Sequence, residues 1–275
     1  MGKEITNYDD SKSLRIRKTE NKNIFRHRVN FNKEIISSLL NIKDKKKNWK
    51  DLKILDVGCG YGDFPQYLHE QDSSWKIWGI DISKGMIDEA KKSTDQSIKY
   101  AVADTQKLPF KDRSFDVLVA KHMVYHIDDI RKGLNEMHRV LKDDGILIIT
   151  LNSLANGSRA NIERYLKEME KVLNAKRIQT ITKANMENFF QYVDKSQFKI
   201  LEIRTYFNYG EIENSGLLKS YLESYRDFFS PKPTPEKWGK ALFEIDKRIA
   251  AEIKKRGKID EVRGLGIIKL QKIIN

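Results

Sequence analysis

Between residues 53 and 151, short apolar runs alternate with amphipathic stretches. The runs at 53–57, 76–80, 98–102, 115–120 and 145–151 have the length and composition of strands. The segments at about 62–71, 84–93 and 129–141 carry helical spacing. Residues 54–57 and 116–120 are near-continuous apolar runs, as strands covered on both faces require. Strands alternating with helices predict a parallel sheet with right-handed crossovers. Turn chemistry agrees: Leu108-Pro109 follows the third run, and Asp143-Asp144-Gly145 precedes the fifth.

Outside that window the rhythm changes. Residues 1–18 are polar, with Tyr8 the lone aromatic, and read as a loose arm or short lid. Within 21–41 the later apolar positions, Ile35, Ile36, Leu39 and Leu40, fit a helix; 44–50 is a charged linker. Residues 159–175 place Ile162, Tyr165, Leu166, Met169, Val172 and Leu173 on one helical face. A second helix is expected over 182–193, with Thr182 as N-cap and Glu187 in its early turns. Residues 198–207 alternate like a strand. Helices are expected over 217–229 and 236–256, split by Ser230-Pro231-Lys232-Pro233-Thr234-Pro235, and a last strand over 265–272. These divisions give an N-terminal helical arm (1–50), a core (51–152) and a C-terminal region of inserted helices and closing strands (153–275).

Candidate chemistry clusters at the ends of the first strands. Lys53-Ile54-Leu55-Asp56-Val57 runs into Gly58-Cys59-Gly60-Tyr61-Gly62. A strand ending in a glycine-rich turn before a helix makes a nucleotide-sized site, because a Cβ in the turn would hold a ligand off the backbone. Nineteen residues past Gly62, the second strand ends in Asp81, whose two oxygens match the vicinal hydroxyls of a ribose. The third strand ends at Ala103-Asp104. A dinucleotide fingerprint would place its third glycine at position 63, where Asp63 stands; a carboxylate there disfavours pyrophosphate.

Five segments, LDVGCGYG at 55–62, GIDIS at 79–83, ADTQKLPF at 103–110, FDVLVAKHMVYHIDD at 115–129 and EMHRVLKDDGILIIT at 136–150, resemble the class I S-adenosylmethionine-dependent methyltransferases, most closely their small-molecule type 11 branch. The resemblance covers roughly residues 50 to 152. It implies a Rossmann-like α/β fold, with a mostly parallel seven-stranded sheet and helices on both faces. A late antiparallel hairpin of 198–207 with 265–272 would close the sheet, and the remaining C-terminal helices would form an inserted lid.

By the same resemblance, Asp56, Gly58, Gly60 and Gly62 hold the cofactor's amino-acid end and Asp81 its ribose. Ile82 and Met86 pack on adenine or ribose, and Asp104 with the Thr105 amide meets the adenine amine. Lys121 lies along the methionine arm. His126 is the candidate general base near the transferred methyl, with core packing or capping as the alternative; Tyr8, His122 and Tyr125 are candidate substrate contacts. The implied cofactor is S-adenosyl-L-methionine and the product S-adenosyl-L-homocysteine. Methyl transfer needs chiefly in-line alignment of a nucleophile, so no catalytic triad is required.

The rest of the sequence narrows the class. Its single cysteine, Cys59, excludes an intramolecular disulfide and lies in the glycine turn as a small buried residue. No apolar run of membrane-spanning length occurs and the first residues lack an apolar leader, so a cytoplasmic protein without membrane partners is expected. His122 and His126, four apart, have a metal-ligand spacing, yet no Glu or third His completes a site, so no metal is expected.

Net charge is +13 and uneven. The first fifty residues carry 14 Lys+Arg against 6 Asp+Glu, residues 51–150 carry 14 against 17, and 151–275 carry 24 against 16. Basic flanks fit an anionic partner or a lysine-rich composition alone. The stretch after the fourth strand, Lys121-His122-Met123-Val124-Tyr125, lacks the proline-aromatic signature of amino-methylating nucleic-acid enzymes, and no second cysteine is available as a pyrimidine nucleophile. The expected acceptor is therefore a small molecule. RNA or another macromolecule and a non-catalytic S-adenosylmethionine binder remain open, as do the oligomeric state and whether O, N or C is methylated.

Overall fold

The structure is a computed structural model that describes residues 11–25, 28–40, 50–154, 161–177 and 183–274. The described residues fall into two compact units. One draws on Asn30–Ser153, Thr180–Tyr206 and Leu265–Asn275; the other draws on Met1–Val29, Leu154–Gln179 and Phe207–Gly264. Tyr8 and Thr182 lie outside the described residues.

The helices are α1 (Ser11–Ile24), α2 (Phe31–Leu40), α3 (Asp63–Gln71), α4 (Lys84–Ser93), α5 (Ile130–Val140), α6 (Asn161–Leu173), α7 (Ser215–Glu223) and α8 (Pro235–Arg256). The strands are β1 (Lys53–Val57), β2 (Lys76–Asp81), β3 (Lys99–Val102), β4 (Phe115–Lys121), β5 (Leu141–Ser153), β6 (Lys176–Arg177), β7 (Phe198–Ile212), β8 (Phe229–Ser230) and β9 (Ile259–Lys272). Seven form one sheet in the order β3-β2-β1-β4-β5-β9-β7, and β6 and β8 pair separately. The first five strands run parallel, with Asp56 opposite Gly79 and Val119, and Asp81 opposite Val102. The late antiparallel pair closes the sheet as expected.

The apolar pattern explains the layering. In α5, Ile130, Gly133, Leu134, Met137 and Val140 share one face and are buried. They join Leu55, Val57, Leu118 and Leu147 on one side of the sheet. On the other side, Ile35, Ile36 and Leu39 of α2 and Phe64 and Leu68 of α3 cover Ile54, Ile77, Val117 and Ile148. The second unit has its own core, where Tyr165, Leu166 and Met169 of α6 meet Leu218, Tyr221 and Leu222 of α7 and Trp238, Ile245 and Ile249 of α8. Helix α8 starts on Thr234, whose side chain accepts from the Lys237 amide, with Pro235 in its first turn.

Three local expectations are corrected. The polar arm is helical from Ser11, although its own amphipathic pattern is weak: Ile24 and Phe25 at its end join the core of their unit, and Arg17 donates to the Ser224 carbonyl at 2.8 Å. The helix expected over 182–193 is a chain of turns with a single 3-10 turn at Phe189–Tyr192. There the Asn185 carboxamide accepts from the Glu187 and Asn188 amides, and the Asn188 carboxamide accepts from the Asn185 amide, which competes with helical bonding. The helix expected over 217–229 stops at Glu223, where the Ser224 hydroxyl donates to the Tyr221 carbonyl.

Candidate cofactor site at the carboxyl edge of the sheet

Parallel strands bring the ends of β1, β2, β3 and β4 to one edge, and there the predicted acids and glycines converge. After β1 the chain folds back on β2, with the Gly58 and Cys59 amides both donating to the Ile80 carbonyl at 2.8 Å. Gly58, Gly60 and Gly62 all hold positive φ, at 71°, 56° and 87°. For two of them the demand comes from the protein itself. A Cβ on Gly58 would lie 2.7 Å from Met123 Cβ, and one on Gly62 would lie 2.8 Å from Thr94 Cγ2 and the Tyr100 hydroxyl. Gly62 thus supplies the close helix contact that the dinucleotide fingerprint places one residue later. Gly60 is held differently, its amide donating to Asp81 Oδ2 at 2.9 Å.

Asp81 is the hinge of this arrangement. Its Oδ2 accepts from Gly60 and its Oδ1 accepts from the Ser83 amide at 3.0 Å, so one carboxylate ties the glycine turn to the start of α4. Each oxygen keeps a second lone-pair direction for a ligand. Burial raises the Asp81 pKa, and the amides of Ser83, Gly60 and Ile82 oppose that rise. Two apolar side chains beside it face solvent, Ile82 with 61% and its sheet neighbour's end, Val102, with 50% of their surface exposed. An acid between two exposed aliphatic groups is a cradle for a polar ring carrying hydroxyls next to a flat apolar ring.

The remaining expected contacts are placed as follows. Asp56 is buried at the end of β1. Met86 is 2% exposed within the inner face of α4, whose N-cap Ser83 accepts from the Met86 amide at 3.2 Å. Asp104 closes a turn by accepting from the Gln106 amide at 2.9 Å, and Thr105 is buried beside it. Lys121 Nζ donates to Asn32 Oδ1 at 2.6 Å and lies 4.9 Å from the Phe64 ring centre, so its side chain is drawn to α2 and α3. Cys59 is buried, and burial together with Asp56 and Asp81 pushes its thiol up, away from reactivity.

The two histidines do not share a helical face. His122 takes a left-handed conformation, φ 53°, its amide donating to the carbonyl and hydroxyl of Thr150 and its ring stacked on Phe31 at 5.6 Å. His126 ends a 3-10 turn at Val124–His126, and its ring packs edgewise on Tyr125 at 4.5 Å. Among the described residues no group of three or more His, Cys, Asp or Glu could hold a metal ion. No helix among them is long and apolar enough to cross a membrane.

Residue-type reasoning on single segments missed Ser83, Val102, Phe31 and Asn32. Ser83 carried a readable signal, a serine three residues before Met86 at a helix start. Phe31 and Asn32 carried none, since their sheet-side neighbours are ninety residues away.

Comparison with known proteins agrees with this geometry. Residues 55–149 match the methyltransferase domain family. The ubiquinone/menaquinone biosynthesis C-methyltransferase UbiE of Campylobacter jejuni strain 81-176 is 35% identical over 105 residues, 36% of this chain and 44% of that protein. The malonyl-[acyl-carrier protein] O-methyltransferase of Hamiltonella defensa is 29% identical over 127 residues, 46% of each chain. The matched stretch thus spans less than half of these relatives. Among solved structures, the YcgJ protein of Bacillus subtilis superposes with a TM-score of 0.57 at 14% identity, covering 90% of this chain and 100% of that one. A phosphoethanolamine N-methyltransferase of Haemonchus contortus, solved with S-adenosylhomocysteine, gives 0.50 at 17% identity over 89% and 53%. Both likenesses concern the fold. Over residues 55–149, the chain carries a methyltransferase domain of the class I, S-adenosylmethionine-dependent type.

Proposed function

We propose that the protein transfers a methyl group from S-adenosylmethionine to a small-molecule acceptor. The observation that carries this reading is Asp81, fixed by two backbone amides between the exposed Ile82 and Val102. The bound cofactor would supply a methyl group on a positively charged sulfur, already a good leaving group. Asp81 accepts from the ribose hydroxyls, and Ile82 and Val102 flank the base. Asp104 with the Thr105 amide meets the base's edge. The Gly60 turn and Asp56 hold the amino-acid end, with Lys121 along it and Met86 supporting the wall from behind. His126 holds a proton position beside the acceptor and takes its proton as the nucleophile attacks, with His122 and Tyr125 shaping the same side. Alignment supplies most of the acceleration, on the order of 7–11 kcal/mol. A small acceptor is supported by the relatives, whose names specify quinone-precursor and malonyl-carrier substrates.

The test is two-part. Calorimetry should show saturable S-adenosylhomocysteine binding that Asp81→Ala abolishes or strongly weakens. Isotope-labelled methyl from S-adenosylmethionine should then appear in the low-molecular-weight fraction of a cell extract. Label confined to RNA or protein would overturn the small-molecule reading, and absence of cofactor binding would overturn the whole.

A further inference from the structure

In the helical unit, Arg17 is 9% exposed, and its guanidinium lies 5.4 Å from the ring centre of Tyr225 and 5.0 Å from that of Phe228. From the other side, Arg263 lies 5.2 Å from the Phe25 ring centre and 5.8 Å from that of Tyr221, and its Nη2 donates to the Tyr221 hydroxyl at 2.8 Å. The Tyr221 and Tyr225 hydroxyls are 3.1 Å apart and share one hydrogen bond. Two guanidinium groups therefore flank a tyrosine pair, with Tyr225, Phe228 and Arg263 only partly buried.

Proton counting sharpens the picture. Two hydroxyls carry two protons, and their shared bond uses one. Arg263 donates rather than accepts, so among the described residues the second hydroxyl proton has no acceptor. On the same turn, Arg226 has a buried Nε with no hydrogen-bond partner among the described residues. Buried donors left without acceptors are costly and mark places where an acceptor belongs. A planar guanidinium fork presents its donors in the geometry of a carboxylate or phosphate, and aromatic walls suit a ligand with an apolar body.

We propose that Arg17, Arg263, Tyr221 and Tyr225 form an oxyanion-binding site for a small ligand bearing a carboxylate or a phosphate. The site stands apart from the methyl-transfer reading, since none of its residues belongs to the glycine turn or the strand ends.

Calorimetric titration of the full chain with benzoate and with inorganic phosphate tests it, benzamide serving as the neutral control. Saturable binding of benzoate assigns a carboxylate ligand, and binding of phosphate assigns a phosphoryl one. Arg263→Gln should weaken the bound probe by about tenfold or more and Tyr225→Phe by about fivefold, with S-adenosylhomocysteine affinity unchanged in both. Tyr225→Phe keeps the ring and decides the matter should Arg263→Gln fail to fold. No saturable binding of either anion, benzamide binding as well as benzoate, or wild-type anion affinity in Tyr225→Phe would overturn the proposal.

Discussion

The two units bury charge by opposite means. In the sheet unit the buried charges at the strand ends are acids, Asp56 and Asp81, and Asp81 is satisfied by backbone amides two and twenty-one residues away. In the helical unit, prominent buried charges are cations: Arg17 and Arg263 against aromatic rings, and Arg177 between Glu163 and Glu170. Backbone amides are present at every residue, so an acid at a strand end followed by a glycine turn can be recognised without knowing the fold. Side-chain partners drawn from segments a hundred or more residues apart cannot. The difference also divides rigid recognition of one ligand from surfaces that can diverge.

The comparison can be broken at several points. The largest effect should come from His126→Ala, with turnover on the identified acceptor falling about 10²–10⁴-fold while S-adenosylhomocysteine affinity holds. Near-normal turnover would leave alignment alone as the mechanism. Next, Asp81→Ala should cost about 2–4 kcal/mol of cofactor affinity by calorimetry, since the carboxylate both contacts ligand and ties Gly60 to Ser83. Wild-type affinity in that variant would remove the ribose from this position.

Two smaller effects concern stability. Arg177→Met should lower the unfolding free energy by about 2 kcal/mol, because Glu163 and Glu170 lose a buried charge partner. A neutral result in urea titration would show that rings and packing, rather than ion pairing, hold the helical unit's cations.

Glu261 gives the smallest and most diagnostic effect. Burial pushes its carboxyl up to about 7, against the opposing pull of the Ile162 amide and Arg263. The folded state therefore binds this proton more tightly than the unfolded chain does. Its contribution falls as pH rises from the ordinary carboxylate range through about 7. Glu261→Gln should raise the melting temperature relative to wild type above pH 7, the gap closing below about pH 5. A gap independent of pH would mean that the carboxylate stays ionised throughout.

The readable part of the molecule is the part whose physics is local. β1 through β5 were visible as apolar runs, and the acids Asp81 and Asp104 were found by their place after such runs. Ile82 was found because it follows Asp81; Val102 was missed, although the register sets it beside the same acid. Where side chains compete for the backbone, as Asn185 and Ser224 do, periodicity overran the true helix ends.

The chain's own order of residues determined the parallel sheet, the glycine turn and the acid that anchors it, because strand periodicity and backbone hydrogen bonding act over a few residues. Only the tertiary structure decided that Gly58 and Gly62 are required by Met123, Thr94 and Tyr100. It likewise decided that Lys121 is held by Asn32 and that Arg17 and Arg263 flank one tyrosine pair. Those contacts join residues far apart in the chain, and their energies come from packing and desolvation that exist only once the segments have met.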